Sequence, residues 1–405
     1  MSRVTMVRVA VLSVASLLAA AAPGSAQTAC QNTGSFDRWM ADFRVEAAKQ
    51  GISRTTISSA LDGMTLDQGI LSRDRRQSFF SQTFTGVVAK LATNNRIQSG
   101  TSAIERHRTA FQRAEKDYGV PSAPIAAFWA LESDFGSGMG KLPVLRSLAT
   151  LAYDCRRGEM FRGELMAALR IIDRGDLKPS EMIGSWAGEL GQTQFLPGHY
   201  WNYAVDYDGD GKRDLLRSPA DVIGSSAAFM QSLGWQRGQP WLQEVRVPAN
   251  LPWEQADISI QHPRSKWAAW GVTARDGQPF TGNDLPASLL LPMGRNGPAF
   301  LAYPNFHVFT KWNQALSYAT TAAYLATRIA GAPALNKGNG PVAEFSMDDV
   351  RELQQLLHRT GLYDDEIDGK MGSGTRTGVK QAQIKFKLPA DSYPTPELIE
   401  LLRRQ

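Results

Sequence analysis

Eleven residues decide that this chain does not fold as one continuous unit. Gly331-Ala-Pro-Ala-Leu-Asn-Lys-Gly-Asn-Gly-Pro341 holds three glycines and two prolines and shows no apolar period. Proline lacks a backbone donor and glycine loses the most entropy on ordering, so neither helix nor strand is sustained there. The composition predicts a linker over 331–345, and a flexible one. Beyond it, residues 346–405 suffice for a small separate module. Met347, Val350, Leu353, Leu356 and Leu357 recur at helical spacing there, behind a capping Ser346 and Asp349.

The 405 residues are 43% hydrophobic, ample for a core in the longer N-terminal part. Residues 1–26 read as a cleaved secretory signal peptide: Arg3 and Arg8 precede an apolar run, Val9–Ala22, and Gly24-Ser25-Ala26 behind it supplies the cleavage site. No segment is long enough for a comfortable membrane span. Loss of the two arginines lowers the net charge from +5 to +3. That small excess suits an anionic polymer but is too weak to argue for nucleic acid. Two cysteines, Cys30 and Cys155, are expected to bridge in an oxidising compartment; two free thiols are the alternative.

Residues 31–118 read mostly helical, with Phe36, Trp39, Met40 and Phe43 on one face and a new helix beginning at Ser53. Short helices then alternate with Gly-rich turns from 120 to 235. Over 236–302 Pro, Trp and Gly increase and short strand patterns appear, as at Glu244–Val247 and Ser288–Leu291. Helix returns at Trp312–Ile329. The expected fold class is mainly α (α+β), with a small β-rich insertion inside a 27–330 domain and a helical module at the C-terminus.

Glu132 is the strongest catalytic candidate. It closes the apolar run Pro124–Ser133, with Phe128 and Trp129 on its helix face and glycines at 136, 138 and 140. Aromatic neighbours and the negative end of the helix dipole both disfavour a carboxylate, as a general acid near neutral pH requires. Taken alone, it could equally be a surface Glu at a fraying helix end. Glycoside hydrolysis ordinarily needs a second carboxylate. Asp134, two positions along a helix, would face elsewhere, and Glu189 in the next Gly-rich loop is the competitor.

The order of motifs narrows the reading. After Glu132-Ser133 come Tyr153–Phe161, the loop Gly184–Pro197, the acidic stretch Asp206–Asp214 and, much later, Thr310–Asn313. This succession, over about 35–330, resembles the lytic murein transglycosylase B family. The resemblance implies a lysozyme-like catalytic domain acting on peptidoglycan glycan strands and their peptide stems, in the periplasm and at the cell wall, and a monomer. It implies cleavage of the MurNAc–GlcNAc bond without water. Glu132 gives its proton to the leaving oxygen, then takes one from the C6 hydroxyl of the same sugar, leaving a 1,6-anhydro end. By the same likeness Ser185 and Gln194 line the site, Arg156 and Arg157 face the peptide stem, and Trp312 and Asn313 stand for a Tyr-Asn pair. Phe229 stands where some relatives carry Tyr, so it and Trp312 each lack a hydroxyl. The alternatives are a hydrolytic muramidase and a non-catalytic wall-binding protein.

Asp206, Asp208, Asp210 and Asp214 occupy the first, third, fifth and ninth positions of a calcium loop, with Gly211 sixth and Lys212 offering its carbonyl. Arg217 at the twelfth cannot bind a cation, so Asp221 is the expected late ligand. Related transglycosylases carry a metal loop there, and a structural calcium ion is expected, although a Gly/Asp-rich turn can close without one. No organic cofactor is expected: zinc spacing, a phosphate loop and a dinucleotide fingerprint are all missing. The C-terminal stretch around Asp368-Gly369, Gly372 and Thr375 resembles the three-helix peptidoglycan-binding domain.

Overall fold

The computed structural model describes residues 34–75 and 83–405. The expected signal peptide and Cys30 lie outside the described residues. From the N-terminus the helices are α1 (Phe36–Lys49), α2 (Arg54–Leu61), α3 (Gln68–Arg75), α4 (Phe84–Leu91), α5 (Asn94–Arg106), α6 (Arg108–Tyr118) and α7 (Ser122–Ser133). Next come β1 (Leu142–Pro143), α8 (Val144–Tyr153), α9 (Gly158–Arg174), β2 (Ile183–Gly184), α10 (Pro197–Tyr203) and α11 (Pro219–Ser232). The following segment carries β3 (Leu242–Arg246), β4 (His262–Pro263), α12 (Arg264–Ala269), β5 (Thr273–Ala274), β6 (Pro286–Leu290) and β7 (Ala299–Ala302). Helices α13 (Phe306–Trp312), α14 (Leu316–Ile329), α15 (Met347–Arg359), α16 (Ser373–Lys385) and α17 (Pro396–Arg403) complete the chain.

Two compact units emerge. Of the described residues, 34–75, 105–115 and 128–229 form the first, and 83–104, 116–127 and 230–405 the second. In the first unit α1 starts because the Ser35 hydroxyl accepts from Arg38 N, and it buries Phe36, Trp39, Met40, Phe43 and Ala47. Trp39 and Phe43 stack with centroids 5.6 Å apart. The Ser53 cap of α2 also donates to Asp173 of α9 at 2.5 Å, and Thr56 donates to the same oxygen at 2.6 Å. One carboxylate thereby ties two helices. Helix α8 is buried almost throughout, from Val144 to Ala152.

The second unit is built on an antiparallel sheet of order β4-β6-β7-β3-β5. Trp253, Trp267, Leu289, Leu301 and Tyr303 fill its apolar cluster. This is the β-rich segment expected over 236–302. The C-terminal module closes around Leu353, Leu357, Tyr363, Val379, Leu398 and Leu402. At its centre the fully buried Gln354 donates to Asp368 and Thr375 and accepts from Gly369 N at 2.7 Å. A Ser346–Asp349 capping box starts α15, as the spacing predicts.

The linker is not a free tether. Asn336 N donates to Glu244 at 2.7 Å, Leu335 N to the Tyr324 hydroxyl at 2.9 Å, and Asn339 N to the Asn296 carbonyl at 2.8 Å. The module itself is held to the same sheet region: Lys380 pairs with Asp257 at 2.8 Å, and Arg376 donates to the Leu291 carbonyl at 2.7 Å. Breaker-rich composition removes periodic structure, but it leaves backbone donors and acceptors that side chains elsewhere can satisfy. Composition reports the first property and is silent on the second.

Gly338 has φ +88°, and a Cβ there would collide with the Asn296 and Gly297 backbone. Gly338→Ala is therefore expected to release this stretch at a cost on the order of 1–3 kcal/mol. Limited proteolysis between 331 and 345 should be much faster in the variant than in the wild type.

Candidate active site

Helix α7 is apolar through Ile125, Phe128 and Trp129, each at most 4% exposed, and Glu132 is its penultimate residue, half-buried. The chain then reverses sharply. Asp134 and Phe135 both adopt left-handed backbone, φ 46° and 57°, followed by Gly136 at 90°. Asp134 thus lies just past the end of the helix, its N–H still donating to the Ala130 carbonyl at 3.0 Å, and does not share a helix face with Glu132.

Gln192 fixes this reversal. Its Oε1 accepts from Trp129 Nε1 at 2.8 Å, its carbonyl accepts from the Ser133 hydroxyl at 2.7 Å, and its Nε2 donates to the Leu216 carbonyl at 2.9 Å. The Ser133 hydroxyl in turn accepts from Gly136 N at 3.0 Å. A Cβ at Gly136 would lie 2.7 Å from Gln192 Oε1, so the position admits only glycine without displacement. Close by, β1 pairs with β2, and a Cβ on Gly140 would strike the Gly184 carbonyl.

The loop from Gly184 to Phe195 carries the expected site residues Ser185 and Gln194. Bridges Gly184↔Leu190 and Leu190↔Phe195 fold it back on itself. Gln194 is left-handed at φ 48°, and its Nε2 donates to the carbonyls of Met139 (3.2 Å) and Gly191 (2.8 Å). Its Oε1 is buried without a hydrogen-bond partner, as is Thr193 Oγ1 beside it. An unpaired buried acceptor on a strained residue is costly, of order 1–3 kcal/mol, and such sites cluster where ligands bind. Phe229 belongs to an aromatic group with Phe195 (5.1 Å), His199 (4.6 Å) and Tyr203 (4.9 Å).

Glu189 is occupied inside its own loop: the Ser185 hydroxyl donates to its Oε2 at 3.0 Å. Burial pushes its carboxyl up to about 7, against the opposing pull of that hydrogen bond and of the Arg157 charge. Arg156 and Arg157 converge on Asp74, which is 2% exposed; Arg156 Nε donates to its Oδ2 at 2.9 Å and Arg157 Nη2 to its Oδ1. Asp74, Gln192 and Thr193 were not singled out from sequence. Asp74 alone left a trace, as an acid inside the basic run Arg73–Arg76. Trp312 and Asn313 are carried by the second unit at the end of α13, where Asn313 Oδ1 accepts from Ala315 N at 3.0 Å. A cavity of about 610 Å³ in that unit, lined by Glu244, Arg275, Phe300 and Tyr324, contains none of the expected site residues.

Of the expected metal ligands, the structure gathers Asp206, Asp208 and Asp210, with a carboxylate oxygen from each within 4.8 Å of the others. Asp214 is turned toward Arg217, whose Nε donates to it at 2.6 Å. Asp221, 0% exposed, accepts from the backbone N–H groups of Tyr207, Asp208 and Asp214 and so braces the loop from within. Lys212 N donates to Asp210 at 2.8 Å. Cys155 is disulfide-bonded; Cys30, its expected partner, lies outside the described residues.

The description "Transglycosylase SLT domain" matches residues 35–327. The chain belongs to that transglycosylase family. It is an enzyme of the lytic transglycosylase class, with a peptidoglycan-binding domain matched over 346–402. Membrane-bound lytic murein transglycosylase B of Escherichia coli (strain K12) is 35% identical over 245 residues, 60% of this chain and 66% of that relative, so the match spans just under two thirds of its length. SltB3 from Pseudomonas aeruginosa, solved in complex with NAG-anhNAM-pentapeptide, has a TM-score of 0.84 at 38% identity, covering 91% of this chain and 99% of that one. The Escherichia coli lytic transglycosylase Slt35 in complex with calcium gives 0.62 at 31% identity, over 72% of this chain and 92% of that one. Among the described residues, no helix is long and apolar enough to cross a membrane.

Removing the Asp74 carboxylate takes their shared acceptor from two guanidinium groups, one of them only 14% exposed. Asp74→Ala is expected to destabilise by roughly 3–5 kcal/mol, read as a lower urea midpoint with an unchanged slope.

Proposed function

We propose that the protein cleaves the bond between N-acetylmuramic acid and N-acetylglucosamine without water, with Glu132 as acid and then base. One observation carries the reading: the turn behind Glu132 is fastened to a loop that offers a strained Gln194 with a buried, unpartnered Oε1. That oxygen can accept from an amide or hydroxyl of the sugar. Glu132 protonates the glycosidic oxygen as the C1–O bond breaks. It then takes the C6 hydroxyl proton as that oxygen bonds to C1, so the carboxyl ends as it began. Intramolecular attack supplies ~7–11 kcal/mol in favourable geometry, in place of a second carboxylate. Glu189, the other carboxylate of this region, accepts from the Ser185 hydroxyl within its own loop. SltB3 has been solved with both NAG-NAM-pentapeptide and NAG-anhNAM-pentapeptide, which suits a substrate and product of this kind.

Arg156 and Arg157 recognise the stem carboxylates, with Asp74 holding both guanidinium groups in place. Trp312, Asn313 and Phe229 contribute stacking and polar contacts to the sugars. The enzyme is exported by residues 1–26 to the periplasm, acts at the wall as a monomer, and is bridged between Cys30 and Cys155. Asp206, Asp208 and Asp210 fit a calcium ion by donor chemistry, since hard oxygen ligands suit it and three close carboxylates repel one another without a cation. A bound ion would neutralise that charge, and its role would be structural; Slt35, solved with calcium, supports the assignment.

Glu132→Gln should keep the thermal melt of the wild type and release no anhydromuropeptides from purified wall, by mass spectrometry. Products carrying an added water would instead mark a muramidase. Chelation is expected to lower the melting temperature, with calcium restoring it.

A further inference from the structure

Ser185 has one proton to give and two lone pairs to fill. The proton goes to Glu189 Oε2 at 3.0 Å, and the lone pairs take Ala187 N and Glu189 N, each at 3.2 Å. Ser185 is 5% exposed, so its hydrogen-bonding capacity is spent within the loop. The inference rests on the function proposed above and on the place in the site that the family resemblance gives Ser185, from which its hydroxyl would donate to the sugar. It can do so only if Glu189 gives the proton up.

We propose that Glu189 is a positioning residue that governs Ser185: as carboxylate it retains the hydroxyl proton, and as neutral carboxylic acid, a much weaker acceptor, it releases Ser185 to donate to the sugar. The loop geometry makes the two states exchangeable without backbone movement. Ser185 N donates to the Glu189 carbonyl at 2.8 Å, and a Cβ at Gly184 would collide with that same carbonyl. The two side chains are therefore held within reach of each other in either state. The charges facing Glu189 come from the start of α9: Arg157 acts on it directly, while Asp74 pairs with Arg157 and Arg156. Arg157 favours the carboxylate and Asp74 draws off part of that pull. Burial favours the acid, and the balance falls at about 7.

The sign follows. The acid form is the competent one, so turnover declines as pH rises through this range. From pH 6 to pH 8 the protonated fraction of a group titrating near 7 falls about tenfold. Glu132 adds its own dependence, which is shared by variants at Glu189 and cancels on comparison.

The experiment measures kcat/KM for release of anhydro ends from a soluble glycan strand at pH 6 and pH 8. The full-length wild type, Glu189→Gln, Ser185→Ala and the double variant are compared, each checked by thermal melt. The pH 6 to pH 8 ratio should be about tenfold larger in the wild type than in Glu189→Gln, whose amide imitates the acid form at every pH. In the Ser185→Ala background the same substitution should leave the ratio as it is. Equal ratios for wild type and Glu189→Gln, or a difference that persists without Ser185, would overturn the inference. If the Gln variant fails to fold, Glu189→Asp replaces it. Drawn back by one methylene, that carboxyl is expected to lose the same pH dependence, and retaining it would count against the proposal. A wild type that releases no anhydro ends overturns the underlying function instead, which keeps the two failures apart.

Discussion

Everything at the site depends on how Gln192 is held. Its side chain and its carbonyl grip two residues of the same helix turn, Trp129 and Ser133, which lie on either side of Glu132 in sequence. Its amide nitrogen reaches across to Leu216. A single side chain thus couples the end of α7, the Gly-rich loop and the segment leading into α11. Hydrogen bonds among buried groups are worth more than exposed ones and are costly to leave unmade, so the three pieces are ordered together or not at all. The left-handed residues after the helix and the glycines at 136, 140 and 184 are the local backbone cost of bringing them so close.

Charge in the first unit is settled in three different ways. Asp74 is buried and neutralised by two arginines, a design that tolerates no loss of the acid. Glu189 is half-buried, with one hydroxyl and a more distant cation, and desolvation raises its carboxyl to about 7, so that it remains poised between its two protonation states. The acidic loop gathers three carboxylates, which accept from backbone N–H groups of the same loop, and Asp221 braces that loop from within. Burial and partner count, rather than residue type, separate these outcomes.

The sequence was most legible where periodicity or capping chemistry is local. The apolar face of α1, the Ser53 and Ser346 caps and the helical run into Glu132 all rest on residues within one or two turns. The glycines of 184–191 mark a tight loop, but Ser185 and Gln194 within it are picked out by the family resemblance rather than by any local pattern. What escaped were pairings across long separations. Asp74 meets Arg157 over more than eighty residues, and Gln192 meets Trp129 over more than sixty. The linker escaped for the same reason, since Asn336 and Asn339 find their partners in strands and turns of the preceding segment. No local pattern encodes such contacts. Only a lone acid among basic residues, or a Gln with no helix to sit in, hints at them.

Gly140 and Gly184 meet backbone against backbone, with no side chain between them to be trimmed or enlarged. Efforts to breed this scaffold toward another sugar polymer therefore have no dial at that seam. Useful variation has to enter through the aromatic group around Phe229 and His199, where whole rings can be exchanged while the spacing of the reactive parts stays as it is.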